Sequence, residues 1–281
     1  VPCLLTSCDH DVHDGEEEGG LSVSLTWADE ADQGTEVKDV KLWIFNANDG
    51  SLVEEKQYGG AQEVASQRFQ LPEGTYRILT TTNLTEPFFI SEQTRSLTNW
   101  NNIQIGLTNP KDVRNNAYFG VVDVKIDNKE GSYVVQNPMK SVLSELTIII
   151  ENIPKGTEMS GKALDCACCL FPTQKNSDGE YGLPSIEPTE VELPTLLATE
   201  STLKSEVIRL MPTIQGSSAS HVYLRLLLPT GTLQEFDITA PKMNVGGKYE
   251  LRFKYEEMQP KMNLDATING WTNLNNEVEI K

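Results

Sequence analysis

Leu5-Thr6-Ser7-Cys8 is the stretch whose residue types most directly specify a chemical event. A branched apolar residue, two small residues and a cysteine form the pattern cut by the lipoprotein signal peptidase of bacteria. The small side chains fit the peptidase and the cysteine thiol receives a diacylglycerol. On this reading Leu5, Thr6 and Ser7 are the lipobox, Cys8 is the first mature residue, and Val1 to Ser7 are the end of a signal peptide. Acyl chains, at about 0.8 kcal/mol per buried methylene, would then hold the protein on a membrane in place of a spanning helix. Asp9 to Gly20 is acidic, Gly-rich and without apolar period, so it cannot bury enough surface to offset its chain entropy and reads as a flexible tether. The competing reading is a cytosolic chain with a frayed acidic start and an unremarkable cysteine.

The other reactive side chains are harder to assemble. Cys166, Cys168 and Cys169 crowd into Leu164-Asp165-Cys166-Ala167-Cys168-Cys169-Leu170. Three neighbouring thiols are a poor disulfide framework and a weak metal set, because on a strand adjacent side chains point to opposite faces. Small apolar residues of a buried strand are the plainer account. His10 and His13 with the aspartates of the tether could hold a divalent ion loosely, against the simpler account of a solvated linker. His221, the third histidine, opens an expected strand and reads as structural or exposed. Glu54-Glu55 and Glu256-Glu257 fall on expected strands, where neighbours diverge and cannot share a substrate. No Gly-x-Ser-x-Gly elbow, His-Glu-x-x-His pair or phosphate-cradling glycine loop occurs. Trp43, Trp100 and Trp271 could stack sugars on an open face, but aromatic residues in strand patterns more often fill cores. No catalytic residue, cofactor or metal is expected.

Composition narrows the partners. The chain has 281 residues and a formal charge of −18, from 23 basic and 41 acidic side chains. Such a balance, without a Lys/Arg cluster, argues against nucleic acid and anionic membrane surfaces. Thr, Val, Ile and Tyr alternate in short runs punctuated by Gly, Pro, Asn and Asp, the composition of an all-β protein. The length suits two cores.

Those runs set the expected elements. Leu21–Trp27 alternates strictly and opens the first strand. Val37–Ala47 has apolar residues on both faces, with Val40, Leu42 and Ile44 opposite Trp43 and Phe45, and is expected to be covered on both sides. Asn48-Asp49-Gly50 turns it into a hairpin with Leu52–Tyr58. Strands follow at Val64–Leu71, Thr75–Asn83, Trp100–Leu107, Tyr118–Ile126 and Tyr133–Gln136, with Leu84–Thr98 irregular. A long strand, Met139–Asn152, is expected to lead from one domain into the next. Beyond it come Ala163–Phe171, Thr189–Leu193, Thr202–Met211, Val222–Leu228, Leu233–Ile238, Lys248–Tyr255, Leu264–Trp271 and Glu277–Ile280, with 173–188 as a surface loop. The domain organisation is therefore 1–20 as signal remnant, lipobox and tether, 21–150 as one β-sandwich and 151–281 as a second.

Several of these segments together resemble one family. The lipobox cysteine with its acidic leader, Val40-Lys41-Leu42-Trp43-Ile44-Phe45-Asn46-Ala47-Asn48-Asp49-Gly50, Leu71-Pro72-Glu73-Gly74-Thr75-Tyr76-Arg77 and Leu264-Asp265-Ala266-Thr267-Ile268-Asn269-Gly270-Trp271 resemble, in pattern and order, the fimbrillin superfamily. Its members are the pilus subunits and anchors of Gram-negative anaerobes. The resemblance implies two transthyretin-like β-sandwiches in tandem, export as a lipid-anchored protein of the outer membrane and cell surface, and a structural or adhesive role in type V pili.

In that family stalk subunits lose their first strand to a trypsin-like, often Arg-specific, protease, and donor-strand exchange with a neighbour fills the groove. The first arginine here is Arg68, well past Leu21–Trp27, whereas Lys38 and Lys41 leave a Lys-specific cut open. Only Thr272–Lys281 follow Trp271, short for a long donor. The expectation is a non-catalytic fimbrial anchor or accessory subunit, partnered with other pilus subunits by β-strand addition. A stalk or tip subunit, a glycan-binding surface lipoprotein and a periplasmic enzyme with sandwich domains are the alternatives.

Overall fold

Alternation of apolar and polar residues governs most of the chain. The structure, a computed structural model, describes residues 19–91, 99–110, 113, 115–258 and the backbone of 271–273. Among them the elements run β1 (Gly20–Trp27), β2 (Val40–Asn46), β3 (Leu52–Tyr58), α1 (Ala61–Ser66), β4 (Gly74–Thr82), β5 (Phe88–Ser91), β6 (Gln104–Leu107), β7 (Tyr118–Ile126), β8 (Ser132–Ser141) and β9 (Ser144–Glu151). They continue with β10 (Glu158–Ala167), β11 (Cys169–Lys175), β12 (Tyr181–Pro184), β13 (Pro188–Leu197), β14 (Thr202–Lys204), β15 (Ile208–Leu210), β16 (Ala219–Leu227), β17 (Leu233–Pro241), β18 (Lys248–Lys254) and β19 (Trp271–Asn273). The protein is all-β.

The strands form four sheets: β1-β8-β7-β4-β2-β3; β12-β11-β6-β5; β13-β10-β16-β17; and β14-β9-β18-β19, with β15 also on β9. Most pairs are antiparallel, but β1 runs parallel to β8 and β18 parallel to β9. The two faces of β2 behave as its composition requires. Val40, Leu42 and Ile44 pack with Leu21, Val23, Val64, Phe69 and Ile78, while Trp43 and Phe45 pack with Leu79, Ile105, Phe119 and Leu170. The first sheet is thus covered on both sides. Asp49 and Gly50 turn the β2–β3 hairpin, with Gly50 at φ 75°.

Several expectations change. Val64–Leu71 is not a strand: Ala61–Ser66 is helical, and Phe69 alone makes a bridge, to Leu21. Ala61, Gln62, Glu63 and Ala65 are good helix formers, and Glu63 Oε2 accepts the Gly59 N–H at 2.8 Å to fix the helix start. The long strand Met139–Asn152 is two strands. The Ser141 hydroxyl bonds the N–H (3.0 Å) and C=O (2.8 Å) of Leu143, and this turn sends β9 into a different sheet. Ala163–Phe171 and Thr202–Met211 are likewise divided, at Cys168 and between Lys204 and Ile208. The expected loop 173–188 holds the end of β11 and all of β12, Leu84–Thr98 contains β5, and Trp100–Asn102 is a 3-10 turn before β6. Leu264–Trp271 and Glu277–Ile280 lie outside the described residues apart from the backbone of Trp271. Residue 150 falls within β9, and pairing crosses it: Ile105 and Gly106 of β6 pair with Leu170 and Cys169 of β11.

Candidate functional site

The lipobox Leu5, Thr6 and Ser7, the acylation candidate Cys8, and His10 and His13 all lie outside the described residues. Cys166, Cys168 and Cys169 are free thiols, the first and last buried. Cys166 is on β10, where burial pushes its pKa up to about 12, and Cys168 occupies the bend before β11. His221 is exposed and its Nδ1 bonds Asp165 Oδ2. Trp43 is fully buried, and the half-buried Trp100 has the Arg77 guanidinium over its ring at 3.9 Å, so neither offers an open stacking face. Glu256 and Glu257 sit in a 3-10 turn after β18 rather than on a strand. Among the described residues no cluster of three or more His, Cys, Asp or Glu has the geometry of a metal site. A cavity of about 540 Å³ is lined by Leu25, Trp27, Gly34, Thr35, Val37, Gly59, Gly60, Ala61, Gln62 and Glu63. Its ionisable lining side chain is Glu63, whose Oε2 is already engaged by the Gly59 N–H.

What the fold does present is strand edges, which carry unpaired N–H and C=O groups for another strand to bond. The edges differ in how they are blunted. β3 carries Glu54, Glu55 and Lys56 in succession, with Lys56–Glu54 at 3.3 Å and Lys41–Glu55 at 3.1 Å. β13 begins with Pro188 and contains Pro194, each lacking a donor. By contrast β17 pairs along its whole length with β16 and has no proline before its last residue, Pro241, leaving its other side the longest proline-free edge of that sheet.

β1 is the second such edge, and its inner side is fully engaged. All eight of its residues are in register with Ser132–Met139 of β8. On the outer side Leu21 exchanges N–H···O bonds with Phe69 at 2.9 and 2.8 Å. Leu21 and Val23 are fully buried in the cluster that also holds Val64 of α1. The connection from β1 to β2 is pinned at both ends. Lys248 Nζ of β18 reaches Asp29 Oδ2 at 2.6 Å, and that hydrogen bond, with one from Ala31 N–H, holds the Asp29 carboxyl below its ordinary range. Asp32 beside it is pushed upward by burial. At the other end the Lys38 N–H donates to Asn83 Oδ1 at 2.7 Å, and the Lys38 carbonyl accepts from Thr82 Oγ1 at 2.7 Å and Asn83 N–H at 2.9 Å.

Sequence reasoning missed these clasps because each joins residues from distant strands. It also missed Arg77, whose Nε and Nη2 bond Asp123 at 2.7 and 3.2 Å and whose guanidinium lies over Trp100 and Tyr181. Its neighbours in sequence carry no hint of either ring.

Comparison with known proteins then places the architecture. The profile of the family described as fimbrillin-A associated anchor proteins Mfa1 and Mfa2 matches residues 7–277. Comparison with curated proteins finds no match. Among solved structures the chain is similar to the fimbrial anchor protein Mfa2 from Porphyromonas gingivalis, at 15% identity and TM-score 0.58, covering 84% of this chain and 90% of that one. It is also similar to a candidate adhesin from Bacteroides thetaiotaomicron (12% identity, TM-score 0.57, 85% and 92% covered). A candidate polysaccharide-binding protein from the same species matches at 10% identity and TM-score 0.55, with 86% and 94% covered. At these identities the solved structures bear on fold alone.

Proposed function

The chain belongs to the family of fimbrillin-A associated anchor proteins, and from that membership we propose that it is a fimbrial anchor or accessory subunit, held at the outer membrane by a lipid on Cys8. It works without catalysis, supporting adhesion by mechanical assembly with other pilus subunits. The observation that carries this reading is the family match across residues 7–277.

The geometry supports the anchor over the stalk alternative. A stalk subunit gives up its first strand, whereas here β1 is paired along its length, buried at Leu21 and Val23 and tied through Asp29 to β18. A cut at Lys38 would have to pull its backbone off Thr82 and Asn83. Strand addition would use the open side of β17. Two sandwich units are part of the proposal, with the first completed by β11 and β12 from beyond residue 150. No helix among the described residues is long and apolar enough to cross a membrane; the proposal attaches the protein through acyl chains on Cys8.

The test is Cys8→Ala expressed in the native host. The variant is expected to leave the membrane fraction, with the wild type retained there and carrying an acylated N-terminal cysteine by intact mass. Equal membrane retention of both would overturn the lipid anchor, and a mass showing a cut before Val40 would favour the stalk reading.

A further inference from the structure

Neighbouring side chains on a regular strand point to opposite faces, so two consecutive cysteines would ordinarily hold their thiols apart. In this chain the strand is broken between them and the residues before. Cys168 sits in the bend between β10, which belongs to the sheet of β13, β16 and β17, and β11, which belongs to that of β12, β6 and β5. The bend brings Cys168 Sγ to 3.9 Å from Cys169 Sγ. Ser185 holds the corner: its Oγ accepts the N–H groups of Cys168 and Cys169 at 3.2 and 3.4 Å and lies 3.3 Å from Cys168 Sγ. Glu187 Oε2 accepts from the Cys168 thiol at 3.8 Å. Cys168 is partly exposed and Cys169 buried, while Cys166 lies apart in the core.

We propose that Cys168 and Cys169 form a reactive vicinal dithiol that closes to a disulfide by exchange with a small-molecule or protein disulfide at the cell exterior. Outside the cytoplasm thiols meet disulfides rather than a reducing pool. The partly exposed Cys168 thiolate attacks one sulfur of the incoming disulfide; that S–S bond breaks and one thiolate leaves with the electron pair. Cys169 then attacks the Cys168 sulfur of the mixed disulfide and expels the second thiolate. Two protein thiols are oxidised, one external disulfide is reduced to two thiols, and the two protons lost by the cysteines end on the leaving groups. The order follows from access, since burial shields Cys169 and also raises its pKa to about 11. The sulfurs must close from 3.9 Å to about 2 Å, the S–S bond length. The loop this closes is minimal, so almost no unfolded-state entropy is removed. Its effect is local, stiffening the peptide by which the chain passes from one sheet to the other.

Reduced full-length protein is incubated with oxidised glutathione, then unfolded, alkylated and mapped by peptide mass. The peptide carrying Cys166, Cys168 and Cys169 is expected to be lighter by two hydrogens and to take up one alkyl group, on Cys166. Cys169→Ser should instead stop at a glutathione adduct on Cys168, and Cys168→Ser should stay fully reduced. Full alkylation of all three wild-type cysteines, a disulfide that uses Cys166, or a wild type that stops at the glutathione adduct would each overturn the proposal. So would protection of both thiols by added Zn²⁺ without any disulfide formed in the metal-free control. The wild-type map decides even if a serine variant folds poorly.

Discussion

Arg77 joins charge to aromatic surface at the boundary between two sheets. It faces Asp123 across β4 and β7 and lies over the rings of Trp100 and Tyr181, while the Tyr181 hydroxyl donates to Asp123 Oδ2 at 2.8 Å. Burial alone would raise the Asp123 pKa, but the bonds from Arg77 and Tyr181 outweigh it and hold the carboxyl below its ordinary value. A depressed native pKa gives stability that is present above the unfolded value of about 3.9 and is lost as pH falls through the native one. Asp123→Asn should therefore lower stability at pH 7 by about 1 kcal/mol, a figure kept small because the side chain is 42% exposed. The deficit should shrink toward zero as urea denaturation is repeated from pH 5 downward, and a deficit of constant size would show that packing rather than charge is responsible. None of this is legible along the chain. Arg77 and Asp123 read only as polar positions on two strands, and their meeting depends on a register that pairing sets.

Elements with a clear apolar pattern and a clear turn were legible, and those shaped by a neighbour were not. β2 announced two covered faces by its unbroken apolar run, and both were found. α1 hid because only Val64 of its six residues is buried, too few to mark a helical period. β12 hid because Tyr181-Gly182-Leu183-Pro184 lies in a polar stretch and contains two residues that weaken strands. Its glycine has a specific reason. Gly182 is at φ 101° and a Cβ there would come within 2.7 Å of the Phe119 ring, so β12 can cross that ring only without a side chain. Gly182→Ala is expected to destabilise the protein by about 1–3 kcal/mol, combining backbone strain with displacement of a buried ring. Thermal unfolding should fall by several degrees, with near-UV circular dichroism altered by the Phe119 and Tyr181 shifts. An unchanged melt would mean that β12 is not docked on β7 as described.

At the scale of the whole molecule the sequence suggested a cut near residue 150, where the apolar run of Leu146, Ile148 and Ile150 ends. Which sheet each strand would join was not legible, because partners such as β6 and β11 lie more than sixty residues apart, at Leu170 and Ile105. Their pairing has a mechanical consequence. Trp43, Phe45, Leu79, Phe88, Ile105 and Phe119 from the first part of the chain share one core with Met159, Leu170 and Leu224 from beyond residue 150. Removing everything after residue 150 strips the cover from that core. Each large apolar side chain returned to water forfeits about 1.5–3 kcal/mol, so uncovering four or five of them costs as much as the roughly 5–15 kcal/mol by which domains are stable. Residues 19–150 alone are therefore expected to give no cooperative thermal transition, whereas the full chain does. Appending residues 166–188 through a flexible linker, to restore β11 and β12, should recover at least part of it. A sharp transition in the bare fragment would show that the first sheet closes without help from downstream. The coupling matters for an anchor, because load applied at the open edge of β17 would then reach the β1 end through shared packing rather than through a slack connection.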